Sequence, residues 1–228
     1  RSAVHGDNAA VIYAGDAFGN VYVREETVST FTTNIDIGGT VLDIRMNPNE
    51  WWEAVAIDSD TVARTTDKGS TWDDITGNLG TLGATAFRAM EYISTTIGGK
   101  LFEGLVLGTN QGVYAMTFDA VGTWFEFGSN VPNAPIYDMD YDPADDVLVL
   151  GTLGRGAWKL KDASTFLAPA VSLSVAPDTV NESDAFATYT ATLSRVYSED
   201  ILVPLQANAT SPDNGPHVAT EGVDYIAP

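Results

Sequence analysis

The sequence predicts an all-β chain assembled from two unlike parts, and three observations carry that prediction. The stretches "VIYAGDAFGNVYV", "LVLGTNQGVYAM" and "VLVLGTLGRGAWKL" share one pattern: an apolar strand runs into a glycine, a short polar turn follows, and a second apolar strand carries an aromatic. A second pattern runs in phase with the first. "VLDIRMNPNEWW" and "IYDMDYDPADDV" align Asp43 with Asp138 and Pro48 with Pro143, each an alternating strand ending in an Asn-Pro or Asp-Pro turn. Helical periodicity is nearly absent. Only "TAFRAMEYI" has a helical spacing, and the phase of the repeat makes it a strand.

The elements follow in order. The anchoring glycines are Gly15, Gly108 and Gly151, and "AVAIDSDTVARTT" is a degenerate copy in which Asp58 takes the glycine place. A period of about 43 to 50 residues with several strands in each copy is the mark of a β-propeller. The "VLDIRM" and "IYDMDY" segments are then innermost strands of blades, and "TFTTNI", "TWDDITGNL" and "TWFEFGSNV" are outer ones. Hairpin turns are expected near 16–19, 58–61, 109–112 and 152–156. The strand count gives three before residue 36, four over 41–79, four over 87–130 and three over 136–161. That is about four blades, the first without most of its inner strand and the last without its outer one. These gaps do not complement each other, so a part of a larger ring is expected rather than a closed small one.

Residues 163–169 read as a linker ending at Pro169. From residue 170 the alternation returns in Val171, Leu173 and Val175, in "ATYTATL" and in "ILVPL", which reads as the antiparallel strands of an incomplete Ig-like β-sandwich over 170–228.

Composition removes several classes of function. The 228 residues carry 31 Asp and Glu against 11 Lys and Arg, a net charge of −20, and only four of the cations are lysine. Such a charge repels phosphate backbones and anionic lipid surfaces, so neither nucleic acid nor a membrane is an expected partner. With no cysteine, disulfides and thiolate chemistry are excluded. His5 and His217 are the only histidines, too few and too far apart for a His-rich metal site, and a Ser-His-Asp triad has little to draw on. No apolar run reaches the length of a membrane span. The start "RSAVHGDNAAVIY" enters a strand without an initiator Met, so the sequence is expected to be a piece of a longer chain.

The segment "TTDKGSTW" satisfies Ser/Thr-x-Asp-x-Gly-x-Thr-Trp through Thr65, Asp67, Gly69, Thr71 and Trp72. This resembles the Asp-box, or BNR repeat, of the sialidase, xyloglucanase and sortilin-like propellers, and the resemblance covers residues 1–162. It implies a structural box on the rim: Gly69 takes a positive φ, Asp67 binds backbone N–H groups of its own turn, and Trp72 packs between blades. The downstream part resembles the first half of a Calx-beta domain, through its "VSLSV" opening, "VNES", "TYTATLS" and "GVDYIAP". That resemblance implies calcium as a cofactor of the intact domain, with Glu182 and Asp224, joined by Asp213, as candidate ligands. One Glu does not make a calcium site, and turn hydrogen bonds are the other reading of these residues.

Two functions remain open. One is a non-catalytic binding or structural module of a large secreted or cell-surface bacterial protein, for adhesion, for glycan or protein binding, or for assembly. Its missing strands are then supplied by the rest of the polypeptide or by another chain. The other is a carbohydrate-cleaving propeller enzyme resembling sialidases or xyloglucanases. A glycosidase needs two carboxylates near the axis, for which Asp43, Asp138, Asp140 and Asp142 are available, although their equivalent places in the repeat favour a structural role. A sialidase also needs three arginines on one carboxylate; Arg45, Arg88 and Arg155 lie in three different blades. Trp51 and Trp52 stand side by side on a turn, where an exposed ring suits a sugar face and a buried one suits packing between blades. Asn181 and Asn208 head Asn-x-Ser/Thr triplets, which carry no meaning in a bacterial chain.

Overall fold

A computed structural model describes residues 10–25, 28–128, 130–176 and 188–194. The chain divides into two compact units, Arg1–Pro169 and Ala170–Pro228.

The first unit is four antiparallel meanders in succession, the architecture of a partial β-propeller. The first sheet is β1 (Ile12–Gly15), β2 (Asn20–Arg24) and β3 (Thr32–Asp36). The second is β4 (Asp43–Met46), β5 (Ala54–Ile57), β6 (Val62–Thr65) and β7 (Asp73–Asp74). The third is β8 (Ala89–Ile97), β9 (Lys100–Thr109), β10 (Gly112–Thr117) and β11 (Phe125–Glu126). The fourth is β12 (Ile136–Asp142), β13 (Val147–Thr152) and β14 (Gly156–Lys161). The first strands of neighbouring sheets touch in turn: β1 lies against β4, β4 against β8, and β8 against β12. The strand count of three, four, four and three and the four hairpin turns agree with the sequence reading. "TAFRAMEYI" enters β8, and the only helices among the described residues are three short 3-10 turns.

Period-two alternation explains how the sheets stack. In β5, Val55 and Ile57 enter the core shared with the third sheet, while Ala56 enters the one shared with the first. In β9, Leu105 and Leu107 face the second sheet and Val106 faces the fourth. In β10, Tyr114 and Met116 go one way, Val113 and Ala115 the other. A strand buried on both faces needs apolar residues at every position, which is why these segments read as continuous apolar runs. The outer strands are shorter than their sequences suggest. β7 and β11 pair over two residues each, and side chains take over: Asn78 clasps the Trp124 backbone with both amide atoms (2.7 and 3.0 Å), and the Trp124 indole donates to Ile75 O at 2.9 Å.

The register corrects one sequence equivalence. Gly15 pairs with Val21, Gly108 with Val113 and Gly151 with Ala157; in the second sheet it is Ile57, not Asp58, that holds this place, opposite Val62. Asp58 instead caps the hairpin, accepting from Asp60 N and Thr61 N at 2.8 and 2.6 Å. Asp16 does the same for Phe18 N and Asn20 N, and Thr109 for Gln111 N. Two of the glycines are there for space. A Cβ on Gly15 would collide with Val41, just before β4, and one on Gly108 would sit 2.7 Å from Ile136 Cγ2, on β12.

In the second unit β15 (Val171–Ala176) and β16 (Thr188–Leu193) form an antiparallel pair. Val171, Leu173 and Val175 stand opposite Leu193, Ala191 and Tyr189 on one face, and Ser172 and Ser174 opposite Thr192 and Thr190 on the other. One apolar and one polar face is the pattern of a sandwich sheet. Glu182, Asp213 and Asp224, with both histidines and both Asn-x-Ser/Thr triplets, lie outside the described residues.

Candidate functional site

Three places in the first unit carry the chemistry that the sequence points to. The first is the turn after β6. Lys68 and Gly69 are both left-handed, at φ 63° and 82°, and the Asp67 carboxylate fills the turn. Its Oδ1 accepts from Thr71 N at 2.8 Å and Thr65 Oγ1 at 2.9 Å, and its Oδ2 from Thr71 Oγ1 at 2.7 Å. Thr65 Oγ1 in turn accepts from Gly69 N at 2.8 Å, and the Trp72 indole donates to Gly69 O at 3.2 Å. The Thr71 bonds hold the Asp67 carboxyl below the usual carboxylate range. All five residues named from the sequence therefore meet in one turn. Trp72 is half-buried, packed on the core between the first and second sheets. This carboxylate faces its own backbone, and nothing in its geometry offers a proton to a substrate.

The second place is the row of charges on β4, β8 and β12. The register sets Asp43, Ala89 and Asp138 at one level, opposite Ile57, Gly108 and Gly151. Two residues on, Arg45, Glu91 and Asp140 form the next level, opposite Val55, Val106 and Val149. Asp43 accepts from its neighbour Ile44 N at 2.8 Å and, across the sheet boundary, from Met90 N at 2.9 Å. Arg45 donates to Met90 O at 2.6 Å and lies 3.1 Å from Glu91 and 3.4 Å from Asp43. Burial outweighs Arg45, and Asp43, Asp140 and Asp138 add to it, so the Glu91 carboxyl is pushed up to about 7. Asp138 accepts from Met139 N at 3.0 Å, the same local bond that Asp43 makes, and is exposed, as is Asp140. Asp142 caps Ala144 N as Asn47 caps Asn49 N, so the two Pro-containing turns are built alike.

The third place is the loop between β4 and β5. Trp51 and Trp52 meet edge to face, centroids 5.6 Å apart at 76°. Trp52 is 38% exposed. Lys68 holds both: its N–H donates to Trp52 O at 2.8 Å, and its ammonium lies 4.8 Å from the Trp51 ring centroid while pairing with Glu25 at 3.3 Å.

The three arginines have separate partners. Arg45 joins Asp43 and Glu91, Arg88 donates to Asn110 Oδ1 at 2.6 Å and stacks on Tyr137, and Arg155 stands in the exposed β13–β14 turn. Among the described residues no group of three acidic or His side chains could hold a metal ion.

Sequence reasoning missed Glu91 and the buried ion pair of Glu53 with Arg64. The first was out of reach, since extending the alignment of Asp43 and Asp138 by two residues lands on Arg45 and Asp140 alone, and only the register of β8 adds Glu91. The second had no signal, because Glu53 follows two tryptophans in a turn and carries no motif.

No protein-family model matches this chain. No curated protein matches it either. Among solved structures it is similar to the crystal structure of an ancestral GH74 enzyme, with a TM-score of 0.48 at 11% identity, over 68% of this chain and 22% of the other. The chain thus spans 22% of that enzyme's length. No helix among the described residues is long and apolar enough to cross a membrane.

Proposed function

We propose that this chain is a non-catalytic binding or structural module of a large secreted or cell-surface bacterial protein, built from Asp-box propeller blades and the first part of a Calx-beta domain. The observation that carries the reading is the fate of the inner-strand charges. Asp43 spends its oxygens on Ile44 N and Met90 N, and Arg45 spends its guanidinium on Met90 O, Asp43 and Glu91. Both groups tie one sheet to the next, which is a structural use of the charges. The completing strands come from the rest of the polypeptide or another chain. β6 and β10 each carry a fourth strand where β14 carries none among the described residues. Calcium belongs to the intact downstream domain and rests on the resemblance around Glu182 and Asp224.

Glu91 favours a second reading, a glycoside hydrolase. A carboxyl raised toward neutrality beside a second carboxyl is what a general acid needs, and Asp138 and Asp140 are nearby. One assay separates the two. The purified chain is incubated with a panel of plant and bacterial polysaccharides and sialosides, and new reducing ends and free sialic acid are measured. The module reading expects none above a Glu91→Gln control. Release that Glu91→Gln abolishes overturns it.

A further inference from the structure

The module reading leaves the ligand open, and the loop of Trp51 and Trp52 narrows it. We propose that this loop is a platform for one pyranose ring of a neutral glycan, an inference that rests on the binding-module reading of the chain. A glycan subsite needs a flat apolar surface open to solvent, a rim of hydrogen-bonding groups, and a loop that does not have to be ordered on binding. Trp52 supplies the surface, exposed at 38% and packed at 76° against the ring of Trp51. The rim is polar. Asn49 is three residues away and donates to Glu103 Oε1 at 3.0 Å, which brings an amide and a carboxylate to the loop.

The loop is fixed from four sides. Asn47 N donates to Glu53 O and Glu53 N to Glu50 O, both at 2.9 Å, closing it on itself. Lys68 N holds Trp52 O from the next turn, and Tyr13 Oη reaches Trp51 O at 3.5 Å from the first sheet. A rigid aromatic on a rigid loop loses little entropy when a ligand settles on it.

Charge selects the sugar. Glu50 lies in the loop, Glu103 is bonded to it, and Glu25 stands behind Lys68. Lys68 is already paired with Glu25 and placed over the Trp51 ring. A sialic acid, a uronate or a sulfated sugar would bring its charge to an acidic rim on a chain of net charge −20. A neutral hexose brings hydroxyls, which can donate to a carboxylate such as Glu103 while the apolar face of the ring covers Trp52.

The test is affinity gel electrophoresis of the full chain in gels holding mixed-linkage β-glucan, galactomannan or dextran, with hyaluronan and polysialic acid as anionic probes. Retardation is expected in at least one neutral gel and in neither anionic one. Trp52→Ala is expected to weaken retention about tenfold or more, the usual result of truncating an anchoring Trp, while Trp52→Phe keeps most of it. A thermal melt of each variant, matched to wild type, shows that the loss is local. No retardation in any neutral gel, stronger retention by an anionic polymer, or unchanged retention by a folded Trp52→Ala overturns the proposal. Failure here is distinct from failure of the module reading, which falls only on release of sugar.

Discussion

Glu53 is the most consequential buried charge in the first unit, and removing it should be costly in a way that restoring neutrality repairs. Its Oε1 takes both Arg64 Nη2 at 2.7 Å and Nε at 2.8 Å, and the Tyr92 hydroxyl at 3.2 Å; its Oε2 takes Asn47 Nδ2 at 3.2 Å. The Glu53 side chain is 8% exposed and Arg64 21%. Glu53→Ala strands a guanidinium, a phenol and an amide together. Breaking a buried pair from one side costs about 3–5 kcal/mol, and the partial exposure of Arg64, which still stacks on Phe118, places the expected loss near the lower end, about 3 kcal/mol. Replacing both partners, as Glu53→Leu with Arg64→Met, removes the stranded charge but leaves the Tyr92 hydroxyl and the buried Asn47 amide without this partner, at about 2 kcal/mol. Urea unfolding of wild type, the two single variants and the double variant at constant m gives the coupling energy directly. A loss below about 1 kcal/mol for Glu53→Ala, or a double variant as costly as the sum of the singles, refutes the reasoning.

Three further outcomes follow from the same geometry. The Asp67 carboxyl titrates below its unfolded value, so the stability it adds is present above the unfolded carboxylate range, near 3.9, and is lost as the pH falls through its folded value; melting temperatures of wild type and Asp67→Asn should converge in acid and separate toward neutrality. Glu91 has the opposite sign: its folded carboxyl is raised to about 7, the folded state holds the extra proton, and stability therefore falls as the pH rises from the unfolded value toward 7. Glu91→Gln should flatten that decline in a pH series of melts, and a parallel curve for the variant counts against the assignment. Gly108→Ala places a Cβ 2.7 Å from Ile136 Cγ2 and 2.8 Å from Ile136 Cβ and should cost about 1–3 kcal/mol by overpacking; Ile136→Ala should not relieve it, because its Cβ stays in place, and urea unfolding measures both.

Much of the fold was legible because its signals are local. A glycine, a polar turn and an aromatic strand recur, and hairpin positions follow from turn chemistry that acts over four residues. The equivalence that failed, Asp58 for the glycines, failed for a physical reason. An Asp in a tight turn and a Gly in a strand both mark the end of an apolar run in sequence, but only pairing across the sheet separates them, and pairing places Ile57 opposite Val62. Outer strands were overread for a related reason: "TWDDITGNL" has strand composition, yet Asp74 turns back to cap Thr76 N and the clasp of Asn78 on Trp124 replaces ladder bonds. The box around Asp67 was readable because all its partners lie within eight residues. The Arg45–Glu91 and Glu53–Arg64 pairs were not, since each joins residues that only the stacking of sheets or the folding of a loop brings together.

The alternation of the middle strands has a consequence for how this unit comes apart. The second and third sheets are shared walls, each contributing to the cores on both of its sides, whereas among the described residues the first contributes to the small cluster of Val21, Ile37, Ala56 and Ala63. In such a linear array, stability is a sum of terms for single sheets and for adjoining pairs. Loss of the first sheet deletes one small pair term; loss of the third deletes both large ones together. Among the described sheets, the first is therefore held by the weakest pair term, and the third, whose β8, β9 and β10 side chains belong to two cores, by the strongest.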